Sequence, residues 1–192
     1  MGCIEMKYDF EKTKQLLKGR LSEKRYEHSI NVAEQAAQLA QIFGENQSKA
    51  YFAGLLHDIC KDESKDEQLQ RIVASDIIWD KKAFLQPSLW HAMSGSIFIA
   101  DELKVSDKDM INAVRYHTSA RAGMSTLEKI VYLADLTSAE REYKDVETVR
   151  ALAHASLEKA MLYALQYILS ELIAHKTPIV NDTMEAYNEY VA

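Results

Sequence analysis

His28, His57, Asp58, His91, His117 and Asp135 are the residues of this chain whose types and settings could do chemistry. Three of the 6 histidines, His28, His57 and His117, fall on the inner, apolar stripe of a helix predicted from residue spacing, where a polar ring must find a partner. Asp58 follows His57 inside the apolar run AGLLHDIC, and Asp135 follows YLA in IVYLADL, so both carboxylates belong to segments that should pack. An unpaired buried carboxylate is costly, and a cation is the partner that removes the cost. A single inward histidine is more often a hydrogen-bonded core residue, but several joined by buried aspartates point to a metal site. Neutral imidazoles with carboxylates suit iron, manganese or zinc, and the absence of clustered cysteines excludes a structural zinc finger. Neighbouring helix positions differ by about 100°, so His57 and Asp58 could both reach one ion, and the two oxygens of Asp58 could bridge a pair. Six ligands exceed the needs of one tetrahedral ion and fit two, which together would activate water and stabilise a phosphoryl oxygen.

Punctuation in the sequence places the elements that must hold these groups. Asp9 caps a helix to Arg20, and Ser22 caps a second through Phe43, in which His28, Val32, Ala36, Leu39 and Phe43 recur at spacings of three and four. A third helix spans about Gln47 to Cys60, followed by the charged segment KDESKDEQ at 61–68. Residues 69–90 read as short pieces broken at Pro87, and His91 opens a helix toward Leu103. Ser106 or Asp107 caps a helix carrying Met110, Ala113, Val114 and His117 on one stripe. Ser125 and Glu128 form a capping box for a helix that stacks Leu127, Val131 and Asp135 at i, i+4 and i+8, so Asp135 points inward. A long helix runs from about Asp145 to Ala174, and Asp182 with Glu185 starts a short one after Pro178.

The composition agrees with an all-α, single-domain chain over residues 1–192: 47% of residues are hydrophobic and 27% charged, and 2 Pro with 6 Gly are too few for a turn-rich β architecture. No repeat, linker or strand pair stands out. A net charge of −6 without a basic stripe argues against nucleic acid as a partner, while a small anion held through metal ions remains compatible. Cys3 and Cys60 are isolated, which suits a reducing cytoplasm. The N-terminus has no signal-peptide apolar region, and no run is long enough to span a membrane. Gly2 and Cys3 suggest a lipidation start, but Met6 stands where N-myristoylation wants Ser or Thr.

The order His28, His57-Asp58, Asp135 in a helical chain resembles the HD-domain metal-dependent phosphohydrolases. The longer strings RYEHSINVAEQAAQLA, AGLLHDICKD, LWHAMSG, AVRYHTSAR and MSTLEKIVYLAD are more specific, and over roughly residues 15–165 they resemble the bacterial YqeK-type family of symmetrical dinucleoside-tetraphosphate hydrolases. The resemblance implies an HD core over about 15–165 with a C-terminal helical extension over about 166–192. It implies hydrolysis of diadenosine tetraphosphate to two ADP by a metal-bridging hydroxide attacking an inner phosphorus, with two divalent ions, iron first and manganese or cobalt as substitutes. It assigns His28, His57, Asp58 and Asp135 to one ion and His91 and His117 to the other, with Asp58 between them.

The same resemblance implies roles around the ions. Asp58, Lys61 and Asp62 fall in the catalytic stretch, where a lysine can contact phosphate and an acid can orient or protonate. Arg25, three residues before His28, and Arg121, four after His117, could reach the mouth of the site and clamp phosphate oxygens, and with Lys61, His117 and Arg141 they are the expected substrate contacts. The chain reads HTSAR and ADLTSAER where family members often read HTTGR and ADYIEPGR, departures that fall on the rim of the site. Other HD activities, such as a nucleotidase or a guanosine tetraphosphate hydrolase, share the first metal, and a non-catalytic metal or nucleotide sensor would use the same ligands. His154 and His175 read as ordinary helix residues. An exposed helical face could support a homodimer.

Overall fold

Asp9 accepts a hydrogen bond from the Lys12 amide at 3.0 Å and starts α1 (Phe10–Arg20). α2 (Glu23–Phe43) ends where Gly44, at φ +73°, takes the left-handed cap that other residues resist. The chain then forms α3 (Gln47–Leu56), α4 (Lys65–Val73), α5 (Lys81–Phe84), a 3-10 turn at Pro87–Leu89, α6 (Trp90–Asp101) and α7 (Lys108–Tyr116). α8 (Thr126–Thr137), α9 (Val146–Ala155), α10 (Leu157–Ala174) and α11 (Asn181–Val191) complete it. This is a computed structural model; it describes residues 8–75 and 80–192, and among them there is no strand. Gly2, Cys3 and Met6, which bear on lipidation, lie outside the described residues. No helix among the described residues is long and apolar enough to cross a membrane.

Four local expectations are corrected. α3 stops at Leu56 instead of running to Cys60, and residues 57–62 are consecutive turns closed by Ile59 N–H to Leu56 O (3.1 Å) and Lys61 N–H to Asp58 O (2.8 Å). The charged run hides a capping box: Ser64 and Glu67 exchange bonds and start α4. Ser22 does precede α2, but its side chain makes no cap bond; its backbone N–H donates to Asp62 Oδ2 at 2.7 Å, which ties the start of α2 to the turns after α3. The long C-terminal helix is two: Ser156, extended at φ −164° and ψ 117°, ends α9 and caps α10, which then runs unbroken past residue 165. The Ser125 and Glu128 box stands as expected.

The core lies between α2, α3, α7 and α8, with α9 and α10 closing one side. Gly54 decides how near α2 and α3 approach, since a Cβ there would sit 2.7 Å from Ala33 Cα. The turns after α3 are pinned by polar bonds. Gln68, fully buried on α4, donates to the carbonyls of Cys60 (2.8 Å) and Glu63 (3.1 Å), and the Glu63 carboxylate pairs with both Arg20 and Arg71. Burial pushes the Cys60 thiol up to about 12, so it stays an inert apolar filler. A second cluster of Ile72, Ala83, Trp90, Met93, Ile97 and Val180, with Trp90 Nε1 donating to Ala83 O (2.9 Å), fixes the start of α6.

Gly54→Ala should therefore cost about 1–3 kcal/mol through overpacking of the α2–α3 contact. A urea titration should show a lower midpoint at unchanged slope; an unchanged midpoint would mean that the two helices are free to separate.

Candidate metal centre

Four histidines reach one point from four elements. His28 projects from α2, His57 and His117 cap the C-termini of α3 and α7, and His91 is the second residue of α6. His57 and His117 use the same local device: Nδ1–H donates to a carbonyl three residues earlier, Gly54 O and Val114 O, each at 2.7 Å. Those carbonyls belong to the last turn, whose oxygens lack helical donors. The bond fixes the ring and its tautomer, so each Nε2 points inward with its lone pair. Ending α3 at His57 also changes how Asp58 is presented, because it sits in the following turns and not on a helix face.

The inward nitrogens meet in pairs. Nε2 of His28 and His57 lie 3.2 Å apart, and Nε2 of His91 and His117 lie 3.3 Å apart. Asp58 stands between the pairs with its oxygens divided. Oδ1 faces His91 (3.0 Å) and His117 (3.5 Å), and Oδ2 faces His57 (3.6 Å) and His28 (3.9 Å). Asp135 Oδ1 adds to the first pair, 3.0 Å from His28 Nε2 and 4.0 Å from His57 Nε2. All six predicted ligands are thus brought together, in overlapping groups (His28, His57, Asp58; His57, His117, Asp135; Asp58, His91, His117) whose donor atoms lie within 4.8 Å.

Such an arrangement of lone pairs and carboxylates repels itself unless positive charge enters. Asp58 is 2% exposed, and its Oδ1 has no hydrogen bond. Nitrogen and oxygen donors in this number suit divalent iron, manganese or cobalt, so the residues fit a metal group. Burial holds His57 down to about 3 and His91 down to about 4, so both rings are neutral, the form that binds cations. Burial also acts most strongly on His28 and downward, but the hydrogen bonds that the ring donates to the Asp135 and Glu140 carboxylates, with the Asp135 charge, outweigh it and leave this ring raised above its ordinary value. For Asp58 and Asp135 burial pushes upward, and the facing imidazoles, with Arg141 at Asp135, prevail and keep both carboxyls well below the usual carboxylate range.

The rim residues divide. Lys61 Nζ lies 3.0 Å from His91 Nε2 and 3.5 Å from Asp58 Oδ1, and Arg25 Nη1 lies 3.5 Å from Asp58 Oδ2. Arg141 grips Asp135 twice, at its carboxylate and, from Nε, at its backbone oxygen (2.8 Å). Arg121 is turned elsewhere, paired through Nε (2.7 Å) and Nη2 (2.5 Å) with the buried Glu128 of α8. Asp62 is likewise committed to the start of α2 and is exposed. His154 and His175 stay on the surface as expected. Sequence reasoning missed Glu140, whose carboxylate accepts from His28 Nδ1, and Arg150, which donates to the carbonyls of Thr137 (3.1 Å), Ser138 (2.7 Å) and Arg141 (3.0 Å) and so holds the loop after α8. Only the charged pair Glu140-Arg141 directly after the Asp135 helix hinted at them.

The HD domain family model matches residues 25–140. The chain is 35% identical to the symmetrical bis(5'-nucleosyl)-tetraphosphatase of Halalkalibacterium halodurans, over 93% of this chain and 95% of that protein. It is equally 35% identical to the Bacillus subtilis protein of the same name, over 92% and 94%. Among solved structures it is similar to one described as a predicted HD superfamily hydrolase involved in NAD metabolism from Clostridium acetobutylicum, with a TM-score of 0.92, 32% identity and coverage of 96% and 97%.

A pH dependence follows. A proton on His28 excludes a cation from its Nε2, and its raised value means that this competition begins above 6.5. His57, at about 3, and His91, at about 4, remain neutral throughout. Calorimetric titration with Mn²⁺ between about pH 8 and about pH 5 should show affinity at the His28 half falling by about tenfold per pH unit at the acid end. Affinity independent of pH over that range would contradict the assignment of His28 as a ligand.

Proposed function

The chain belongs to the HD domain family, and we propose that it is a metal-dependent hydrolase that cleaves dinucleoside tetraphosphates such as diadenosine tetraphosphate symmetrically, giving two ADP. The observation that carries this reading is the divided Asp58 carboxylate, one oxygen for each pair of imidazole nitrogens. The substrate class rests on the relatives of that name, which align along nearly their whole length.

His28, His57, Asp58 and Asp135 would hold one ion, and His91, His117 and the other oxygen of Asp58 the second. Two divalent ions, iron first and manganese or cobalt as substitutes, supply Lewis acidity to phosphoryl oxygens and lower the pKa of water. The protein contributes the rest. Asp58, whose carboxyl lies well below the usual carboxylate range, is ionised at neutral pH, with the Lys61 ammonium and the Arg25 guanidinium each 3.5 Å from one of its oxygens. Lys61, an ammonium 27% exposed at the edge of the cluster, and the 37% exposed Arg25 guanidinium stand where phosphate oxygens would approach, and both present charge to the negative chain. Arg141 acts through Asp135, holding one carboxylate oxygen against His28. Two ADP arise only when an inner phosphorus is attacked and a nucleoside diphosphate leaves, so the cationic edge at Lys61 and Arg25 must hold one diphosphate half while the other departs.

Chromatography of products formed from diadenosine tetraphosphate by metal-replete protein should show ADP alone. His57→Ala and Asp58→Ala should each lower turnover by about 10³-fold or more, the loss of several kcal/mol of charge stabilisation, while helical circular dichroism is retained. ATP with AMP would move the cleavage to an outer phosphorus, and absence of turnover with Fe²⁺, Mn²⁺ and Co²⁺ would overturn the activity.

A further inference from the structure

The four rings of the cluster are not held alike. His57 and His117 rest on neutral backbone carbonyls. His28 rests on a carboxylate: Glu140 Oε1 takes its Nδ1–H, behind the ring and opposite the Nε2 that faces Asp135 and Asp58. His91 Nδ1 is buried and has no hydrogen-bond partner among the described residues.

Glu140 is itself held in place. Asn31 Nδ2 donates to its Oε2 at 2.7 Å, and Ser138 Oγ donates to its Oε1 at 2.8 Å. Asn31 lies three residues along α2 from His28, so ring and carboxylate are referenced to the same helix. The loop that carries Glu140 is fixed from the other side by Arg150 of α9 through the carbonyls of Thr137, Ser138 and Arg141. A carboxylate on Nδ1–H raises the electron density at Nε2 and stops the ring from turning, both of which strengthen a metal bond. The charges at the two halves differ in the same direction. The His28 half has the carboxylate of Asp135, with Arg141 on it and Arg25 near Asp58 Oδ2. The His91 half shares only Asp58 Oδ1 and has the Lys61 ammonium 3.0 Å from His91 Nε2.

We propose that Glu140 is a positioning residue for His28 and that it makes the His28 half of the cluster the tighter of two unequal cation sites. This rests on the metal-centre reading above. The weaker His91 half then fills only at higher free metal, so the protein passes through a singly loaded state.

The test is a calorimetric titration of the metal-free full chain with Mn²⁺, together with the absorption spectrum of the Co²⁺-loaded protein. The native protein should show two affinity classes. Glu140→Ala should weaken the tight class by about 10–100-fold, leave the weak class in place and alter the Co²⁺ spectrum. Glu140→Gln, which keeps an acceptor for Nδ1–H without the charge, should fall between the two. His91→Ala should lose the weak class and keep the tight one. An unchanged tight class in Glu140→Ala, or loss of the tight class in His91→Ala, would overturn the proposal. Two equal sites in the native protein would overturn the asymmetry, whereas no bound ion at all would overturn the metal-centre reading beneath it.

Discussion

Imidazole lone pairs and carboxylate oxygens converge in this protein at distances near 3 Å inside a buried pocket, and that repulsion is the constraint the remaining structure serves. A side chain with this much electron density around it would ordinarily turn toward water. Here it cannot, because the Nδ1 atoms of His57 and His117 are bound to helix-end carbonyls and that of His28 to Glu140. The fold stores an electrostatic demand that positive charge satisfies, and Arg25, Lys61 and Arg141 already meet part of it from the rim.

Helix ends are the means. α3 and α7 both terminate on a histidine, so each ring satisfies an orphan carbonyl of its own helix and at the same time aims its far nitrogen at the centre. This requires α3 to lie hard against α2, which Gly54 allows, and the turns after His57 to hold Asp58 with its oxygens divided. Gln68, Glu63 and the start of α4 anchor those turns at their far end. The second cluster around Trp90 does the same for α6 and His91. Packing far from the chemistry thus sets distances within it.

The helical class, the Ser125 capping box and the six residues that converge in the cluster were legible in the sequence, because each left a local sign: a periodic stripe, a cap, or a polar residue inside an apolar run. The end of α3 at Leu56 was not, since Ile59 and Cys60 continue the apolar pattern, and the bonds that mark the end, from the His57 ring to the Gly54 carbonyl and from the Ile59 amide to Leu56, leave no sign in it. Arg121 and Asp62 read as site residues by their distance from His117 and Asp58, yet their partners, Glu128 and the Ser22 amide, are chosen by tertiary geometry. Glu140 and Arg150 were hidden for the same reason. Their partners lie on other elements, 112 residues away for the Glu140 bond to His28, and no periodicity carries such a pairing.

Whether two cations share Asp58 is tested most directly by diffraction from crystals grown with Mn²⁺ at a concentration that fills both affinity classes, recorded for its anomalous signal. Two peaks about 3.5–4 Å apart, one among His28, His57, Asp135 and Asp58 and the other among His91, His117 and Asp58, are the expected result. A single peak, with the Lys61 ammonium still against His91, or no peak within reach of Asp58, would contradict it.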